Sequence, residues 1–147
     1  MMNLHLICPY CQTINQIPGH RLSQQPKCGK CHGFLFSARP IELGADNWPR
    51  YLAHTGVPML IDFWAPWCGP CKLMGPAFEQ ACKELEPKIL LGKINTENEK
   101  TLAAQFGIKS IPTLILFVNG AEISRQSGAM GKQDIIRWVQ DKLRPAS

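Results

Sequence analysis

The segment that most constrains the fold is residues 63–72, where two cysteines stand two residues apart at a change of hydrophobic pattern. Residues 59–64 form a short apolar run closed by a proline-containing turn, which predicts a buried strand. After Cys71, apolar side chains recur at helical spacing as far as Leu85, which predicts an amphipathic helix. Cys68 and Cys71 are therefore expected where a buried strand passes into a helix.

This position has chemical consequences for the two thiols. Unpaired N–H groups and the helix dipole favour a negative charge at a helix N-terminus, so we expect the pKa of Cys68 to fall and Cys68 to be the nucleophile. Cys71 lies one turn further in, so we expect it to be more buried and to attack second. Two cysteines at this spacing also fit half a metal site or a structural disulfide, but a strand-to-helix junction favours a redox pair.

A second set of cysteines lies near the N-terminus, at positions 8, 11, 28 and 31. Pairs separated by two residues, with sixteen residues between the pairs, have the spacing of a four-cysteine zinc site, with Cys8, Cys11, Cys28 and Cys31 as ligands to one ion. So short a segment contains few apolar residues, and a metal would supply the missing folding energy. The sequence predicts a zinc-ribbon module over residues 1–38. His32 completes a C-x-x-C-H haem-attachment pattern, but haem attachment needs export and leaves Cys8 and Cys11 unexplained.

Charge, hydropathy and the N-terminal residues narrow the cellular setting. Residues 1–40 hold four basic side chains and no acid, but four zinc-bound thiolates would reduce that charge from +4 to +2, so we expect no nucleic-acid partner. No apolar run approaches the ~20 residues of a membrane span. Residues 1–8 lack the basic and apolar regions of a secretory signal, which predicts a cytoplasmic protein. In the reducing cytoplasm, the seven cysteines are expected to be ligands or catalysts.

One charged residue interrupts each of two apolar strands. Asp62 lies within the strand before Cys68, and Lys93 lies within the apolar run at 89–95. Burial raises the pKa of an acid, so Asp62 is expected to hold a proton near neutral pH and to exchange it with Cys71. The alternative is a structural acid satisfied by hydrogen bonds or by a lysine. Lys93 is expected to approach Asp62 across adjacent strands, where each would tune the pKa of the other.

The remaining pattern predicts the architecture of residues 39–147. Strands and helices alternate from residue 41, with Asp46 expected to cap a helix that ends near His54. Asn119 and Gly120 predict a hairpin between the last two strands, and a final helix follows. Strand–helix–strand units pair in parallel and the hairpin pairs antiparallel, so we expect an α/β domain with a mixed central sheet and helices on both faces.

Several of these residues together resemble the thioredoxin family. The run Trp67-Cys68-Gly69-Pro70-Cys71-Lys72 matches its active-site signature, and Asp62, Lys93 and the Ile-Pro-Thr of residues 111–113 match further positions. With the four-cysteine module, the chain resembles the zinc-containing thioredoxin-2 type. The resemblance covers residues 41–145 and implies the thioredoxin fold, with a cis Ile111–Pro112 bond beside the two cysteines. It also implies that the substrate groove is lined by Trp67, Gly69, Pro70, Ile111, Pro112 and Gly128.

The resemblance further implies a protein-disulfide reductase that works by dithiol–disulfide exchange through Cys68 and Cys71. Thioredoxin reductase, using NADPH, would reduce the Cys68–Cys71 disulfide again, and disulfide-containing proteins would be the substrates. Two alternatives stay open. The same fold can act as a disulfide oxidase or isomerase, or the chain can be a redox-sensing zinc-binding interaction protein.

Overall fold

The computed structural model describes residues 3–145. Met1 and Met2 of the N-terminal stretch, and Ala146 and Ser147 of the expected C-terminal tail, lie outside the described residues. None of the described helices is long and apolar enough to span a membrane. The elements are β1 (Asn3–Ile7), β2 (Ile14–Pro18), a short 3₁₀ helix (Gly19–Arg21), β3 (Ile41–Leu43), α1 (Trp48–His54), β4 (Met59–Trp64), α2 (Gly69–Leu85), β5 (Leu90–Asn95), α3 (Lys100–Gln105), β6 (Thr113–Val118), β7 (Ala121–Ser127) and α4 (Lys132–Leu143).

The larger sheet has five strands in the order β3-β5-β4-β6-β7. The strands β3, β5 and β4 are parallel, as strand–helix–strand units require. β6 pairs antiparallel with β4 and with β7, and the turn between β6 and β7 holds Asn119 and Gly120 at φ 52° and 78°. The predicted mixed sheet of the thioredoxin fold is confirmed, with β4 between β5 and β6 at its centre.

Alternating side chains of the central strands cover two faces of this sheet. Ile61, Phe63 and Ile115 pack with α1 and α3 in one hydrophobic cluster. Leu60 and Leu114 belong to the opposite cluster, which contains the buried faces of α2 and α4. Helices therefore lie on both faces, and side chains of β4 alternate between the two layers.

The start of α1 differs from the prediction. Asn47, not Asp46, occupies the capping position, and its side chain makes no bond to the first turn of the helix. Instead, the Asn47 amide accepts from the Gly44 N–H at 2.8 Å and donates to the Glu42 carbonyl at 3.0 Å. Asn47 thus organises the loop between β3 and α1.

The N-terminal module packs directly on the larger domain. β1 and β2 form an antiparallel hairpin, and Leu6 and Ile7 lie in the same hydrophobic cluster as Trp48 and Tyr51 of α1. The Gly56 N–H donates to the His5 carbonyl at 2.8 Å. The division into a module at 1–38 and a domain at 39–147 stays a prediction.

A half-buried carboxylate joins the connecting segment to the larger domain. Glu86, at the end of α2, accepts from the Ala38 N–H at 3.1 Å and from the Leu91 N–H at 3.5 Å. Burial raises the pKa of Glu86 to about 7, against the effect of these hydrogen bonds. One side chain thus attaches the connecting segment to β5.

Candidate active site and metal centre

The structure places Cys68 at the N-terminus of α2, immediately after the central strand β4. Cys68 is the capping residue, and its Sγ accepts a hydrogen bond from the Cys71 N–H at 3.2 Å. Cys68 and Cys71 are joined as a disulfide, with Cα atoms 5.2 Å apart. Cys68 is 5% exposed and Cys71 is 4% exposed, so the expectation that Cys71 is clearly the more buried of the two was wrong. The position of Cys68 at the helix end is what distinguishes them.

The loop before β6 lies beside this disulfide. The Ile111–Pro112 bond is cis, and Cys68 Sγ lies 3.7 Å from the Ile111 carbonyl oxygen. The Gly128 N–H donates to the Pro112 carbonyl at 2.9 Å. Gly128 has φ +98°, which L side chains rarely adopt, and a Cβ there would meet no atom within 4 Å. The Ile111–Pro112 segment and Gly128 therefore lie together next to Cys68.

Exposed apolar side chains extend around the disulfide. Trp67 is 68% exposed, and Gly69 and Pro70 are exposed as well. Leu73 is 79% exposed, although it is one of the apolar residues at helical spacing after Cys71 from which a buried helix face was predicted. Large exposed apolar surface is typical of an interaction site, and here Trp67 directly precedes Cys68 and Leu73 lies two residues after Cys71.

Asp62 is buried in the middle of β4. It is 1% exposed, and its Oδ1 has no hydrogen-bond partner. Burial raises the pKa of Asp62 to about 7, and the positive charge of Lys93 opposes this rise. Asp62 lies two residues after Leu60 in β4, so the two side chains point to the same face of the sheet, which is the face that α2 covers. Burial thus raises the pKa of Asp62 in the direction expected from the sequence.

Lys93 lies opposite Asp62 in the parallel register of β4 and β5, as the sequence predicted. Its ammonium group sits over the ring of Trp64, 4.4 Å from the ring centroid, which is a cation–π contact. No ion pair within 4.0 Å joins Lys93 to Asp62 among residues 3–145. The contact between Trp64 and Lys93 was not predicted from the sequence. The sequence shows only that Trp64 is an aromatic residue two positions after Asp62.

The four N-terminal cysteines converge, as the zinc-ribbon spacing predicted. The Sγ atoms of Cys8, Cys11, Cys28 and Cys31 all lie within 4.8 Å of one another. Cys8 and Cys31 are 3.5 Å apart, and Cys11 and Cys28 are 3.6 Å apart. Four thiolates bound tetrahedrally to zinc would lie about 3.8 Å apart. The donor set and its spacing therefore fit one zinc ion, and His32 is not part of the cluster.

A buried amide orients one of these sulfurs. The Asn15 side chain is 8% exposed; it donates to Cys28 Sγ at 3.5 Å and to the Thr13 carbonyl at 3.2 Å. Its oxygen accepts from the Gly29 N–H at 2.9 Å. Hydrogen bonds from the Cys31 backbone and from Asn15 lower the pKa of Cys28 to about 6, which favours the thiolate that binds metal. Asn15 thus links one cysteine turn to the other, a role with no signal in the cysteine spacing.

Comparison with known proteins agrees with this geometry. The thioredoxin family model matches residues 39–141, and a model described as "Thioredoxin 2, N-terminal" matches residues 7–33. Thioredoxin C-3 of Corynebacterium nephridii is 39% identical over 138 residues, which is 94% of this chain and 94% of that protein. Thioredoxin of Haemophilus influenzae is 37% identical over 92 residues, which is 63% of this chain and 86% of that protein.

The chain belongs to the thioredoxin family, with an N-terminal module of the thioredoxin 2 zinc-ribbon type. It is a thiol–disulfide oxidoreductase whose redox pair is Cys68 and Cys71. The predicted function, disulfide reduction by dithiol–disulfide exchange through these two cysteines, is confirmed at this level.

The burial of Asp62 predicts a pH-dependent stability. Its pKa rises from 3.8 to about 7 on folding, so its contribution to stability is fully present below pH 3.8 and is lost as pH rises through 7. Asp62→Asn should therefore match the wild type in acid and exceed it at pH 9 by on the order of 4 kcal/mol. Urea unfolding of the oxidised proteins at both pH values measures this. An equal gain in acid would show that the ionised carboxylate is not the cause.

Asn15→Ala should weaken zinc binding, because Cys28 would lose the side chain that orients it. Loss of such an outer-shell partner typically costs about tenfold to a hundredfold in metal affinity. Competition with a coloured chelator measures the zinc dissociation constant. Gln16→Ala removes the neighbouring, exposed amide and is the matched control. Equal affinities in both variants would contradict the role of Asn15.

Proposed function

We propose that this chain reduces protein disulfides, with Cys68 as the attacking thiolate and Cys71 as the resolving thiol, and that thioredoxin reductase regenerates the reduced pair. The observation that carries the proposal is the position of Cys68. Its sulfur accepts the Cys71 N–H at the start of α2 and lies 3.7 Å from the Ile111 carbonyl. A substrate segment lying along the Ile111–Pro112 loop would bring its disulfide to this sulfur.

The exchange proceeds in two displacements. The Cys68 thiolate attacks one sulfur of the substrate disulfide, so that a mixed disulfide forms and the other substrate sulfur leaves as a thiolate. The Cys71 thiol then loses its proton and attacks Cys68 Sγ, which releases the second substrate sulfur. The substrate gains two electrons, and the protein is left with the Cys68–Cys71 disulfide.

Asp62 is proposed to accept the proton that Cys71 loses. With a pKa of about 7, its carboxyl group exists in both protonation states near neutral pH. Its side chain lies on the face of β4 that α2 covers, and Cys71 lies in the first turn of α2. Lys93, held over Trp64, adds a positive charge that limits the rise in the pKa of Asp62.

The outer groove is proposed to bind substrate through backbone and apolar contacts. Ile111 offers its carbonyl beside Cys68, and Trp67 offers an exposed ring on the other side. Gly69, Pro70 and Gly128 leave room for a main chain to approach, since a Cβ at Gly69 or Gly128 would meet no atom within 4 Å. The cytoplasm, as expected from the sequence, would be the compartment, and disulfide-containing proteins the partners.

NADPH consumption tests the proposal in an assay with thioredoxin reductase, a model protein disulfide and the zinc-loaded chain. Cys68→Ser should abolish turnover, because no thiolate would remain to attack the substrate. Cys71→Ser should also abolish turnover but should trap the substrate as a mixed disulfide visible on a non-reducing gel. Turnover that survives in Cys68→Ser, or trapping by Cys68→Ser in place of Cys71→Ser, would overturn the assignment.

A second candidate function is redox sensing by the metal centre, which one observation favours. Cys31 is the exposed member of the four-cysteine cluster, whereas Cys8 and Cys28 are buried. Bound to zinc, Cys31 would be an accessible thiolate open to oxidation, and its oxidation would remove a zinc ligand.

A peroxide titration of the zinc-loaded chain, read with a zinc dye, separates the sensing function from a purely structural zinc. Sensing predicts that zinc leaves at doses no higher than those that oxidise Cys68 and Cys71. Retention of zinc at those doses would contradict sensing and identify the zinc as structural.

A further inference from the structure

A cleft of about 430 Å³ separates the N-terminal module from the end of α2. Its walls on the module side are mainly aromatic and apolar, with Tyr10, Leu22, Phe34 and Phe36. Lys83 of α2 and Glu86, which follows α2, lie on the other side. Tyr10 is 64% exposed and Phe34 is 44% exposed. The disulfide chemistry does not account for large aromatic side chains left in solvent at this place.

The cleft is remote from the redox pair. Cys68 caps the N-terminus of α2, whereas Lys83 and Glu86 lie at its opposite end. The 17 residues of α2 correspond to about 25 Å at the usual helical rise. A ligand in the cleft therefore does not compete with a substrate at Cys68.

A basic hollow adjoins the cleft across Pro26. This second hollow, of about 240 Å³, is lined by Arg21 and Lys27 and by no acidic residue. The Lys27 ammonium also lies 5.2 Å from the centroid of the Phe34 ring, which is part of the cleft wall. An apolar cavity and a positively charged one are thus neighbours on one surface.

The backbone around the cleft is constrained in an unusual way. Gln25 and Ala38, both lining the cleft, have φ of 52° and 60°, a conformation that costs energy for residues other than glycine. Ala38 is held there by its hydrogen bond to Glu86 at 3.1 Å. The Ala38 backbone at the cleft wall is therefore tied to the residue that follows α2.

We propose that this surface docks a peptide segment of a partner protein, in which one large apolar side chain stands beside acidic residues. The apolar side chain would occupy the aromatic cleft, where it gains burial against Tyr10 and Phe34. The acidic residues would lie over the basic hollow and pair with Arg21 and Lys27. The module would then recruit a partner independently of the redox groove.

Charge complementarity favours a peptide over a single-stranded nucleic acid, the other ligand that uses aromatic and basic side chains. The Lys27 ammonium already lies over the Phe34 ring, so that face is not free for stacking with a base. Glu86 lines the cleft and, when ionised, would repel a phosphate backbone that crosses it, whereas the acidic residues of the proposed peptide would lie over the hollow, which no acidic residue lines. A neutral apolar side chain is not repelled by Glu86, and it does not need the face of Phe34 that Lys27 covers.

The first arm of the test is a random peptide library displayed on phage and selected on the full, zinc-loaded chain. Selected peptides are expected to share a large apolar residue next to Asp or Glu. Their binding is then measured by fluorescence anisotropy. Phe34→Ser should weaken binding about thirtyfold, as loss of a central aromatic contact does. Ile123→Ser is the matched control, because Ile123 is 46% exposed and lines none of these cavities, and it should leave the affinity unchanged.

The second arm tests charge and keeps the proposal decidable if Phe34→Ser loses its zinc or unfolds. Arg21→Glu combined with Lys27→Glu, both at exposed positions, should weaken peptide binding and reduce its dependence on salt, whereas Lys142→Glu should not. All variants should keep wild-type disulfide reductase activity. The proposal would be overturned if no peptides are selected, or if the selected peptides lack acidic residues. Unchanged affinity in the charge-reversed variant, or cleft-dependent binding of a single-stranded RNA, would also overturn it.

Discussion

The position of one sulfur atom at the end of one helix organises this molecule. Cys68 Sγ accepts the Cys71 N–H where α2 begins, and that point is fixed because β4 is held on both sides by β5 and β6. The same strand order brings the loop before β6 beside the sulfur, so that the Ile111 carbonyl lies 3.7 Å away. A helix N-terminus favours a thiolate, and the neighbouring loop is the segment along which we propose that the substrate lies. Under that proposal, reactivity and recognition arise from a single junction in the sheet.

Asp62, Lys93 and Trp64 lie close to that junction, and each has a different effect on the proton held by Asp62. Asp62 is removed from water and left with one oxygen unpaired, so its carboxyl group binds a proton more tightly than an exposed acid. Lys93 lies opposite Asp62 in the register, yet its ammonium is placed over Trp64. The lysine therefore acts on the acid through its field and not through a direct ion pair, which would hold Asp62 ionised. Because Trp64 holds the Lys93 ammonium, the Trp64 ring affects the pKa of Asp62 through the lysine.

Features that depend on local pattern could be predicted from the sequence, and features that depend on packing could not. The order of strands and helices, the Asn119-Gly120 hairpin and the convergence of the four cysteines all follow from periodicity, turn residues and ligand spacing. Leu73 belongs to the apolar helical pattern after Cys71 but is exposed in the structure, and periodicity does not distinguish the two outcomes. Asn47, and not the predicted Asp46, stands at the start of α1. The Asn47 amide both donates and accepts hydrogen bonds in the preceding loop, whereas a carboxylate only accepts them. Trp64, Asn15 and Glu86 act through contacts with residues distant in sequence, which no local pattern encodes.

The hydrophobic cluster that contains both Leu6 of β1 and Trp48 of α1 joins the metal module to the redox domain in thermodynamic terms. A ligand that binds only the folded protein raises its free energy of unfolding by mass action. Zinc held by the four cysteines would therefore act on more than the turns that contain them. Zinc binding would stabilise every element that packs into the common core. The supply of zinc in the cell would therefore set part of the free energy of unfolding of the oxidoreductase domain, and with it part of the protein's lifetime.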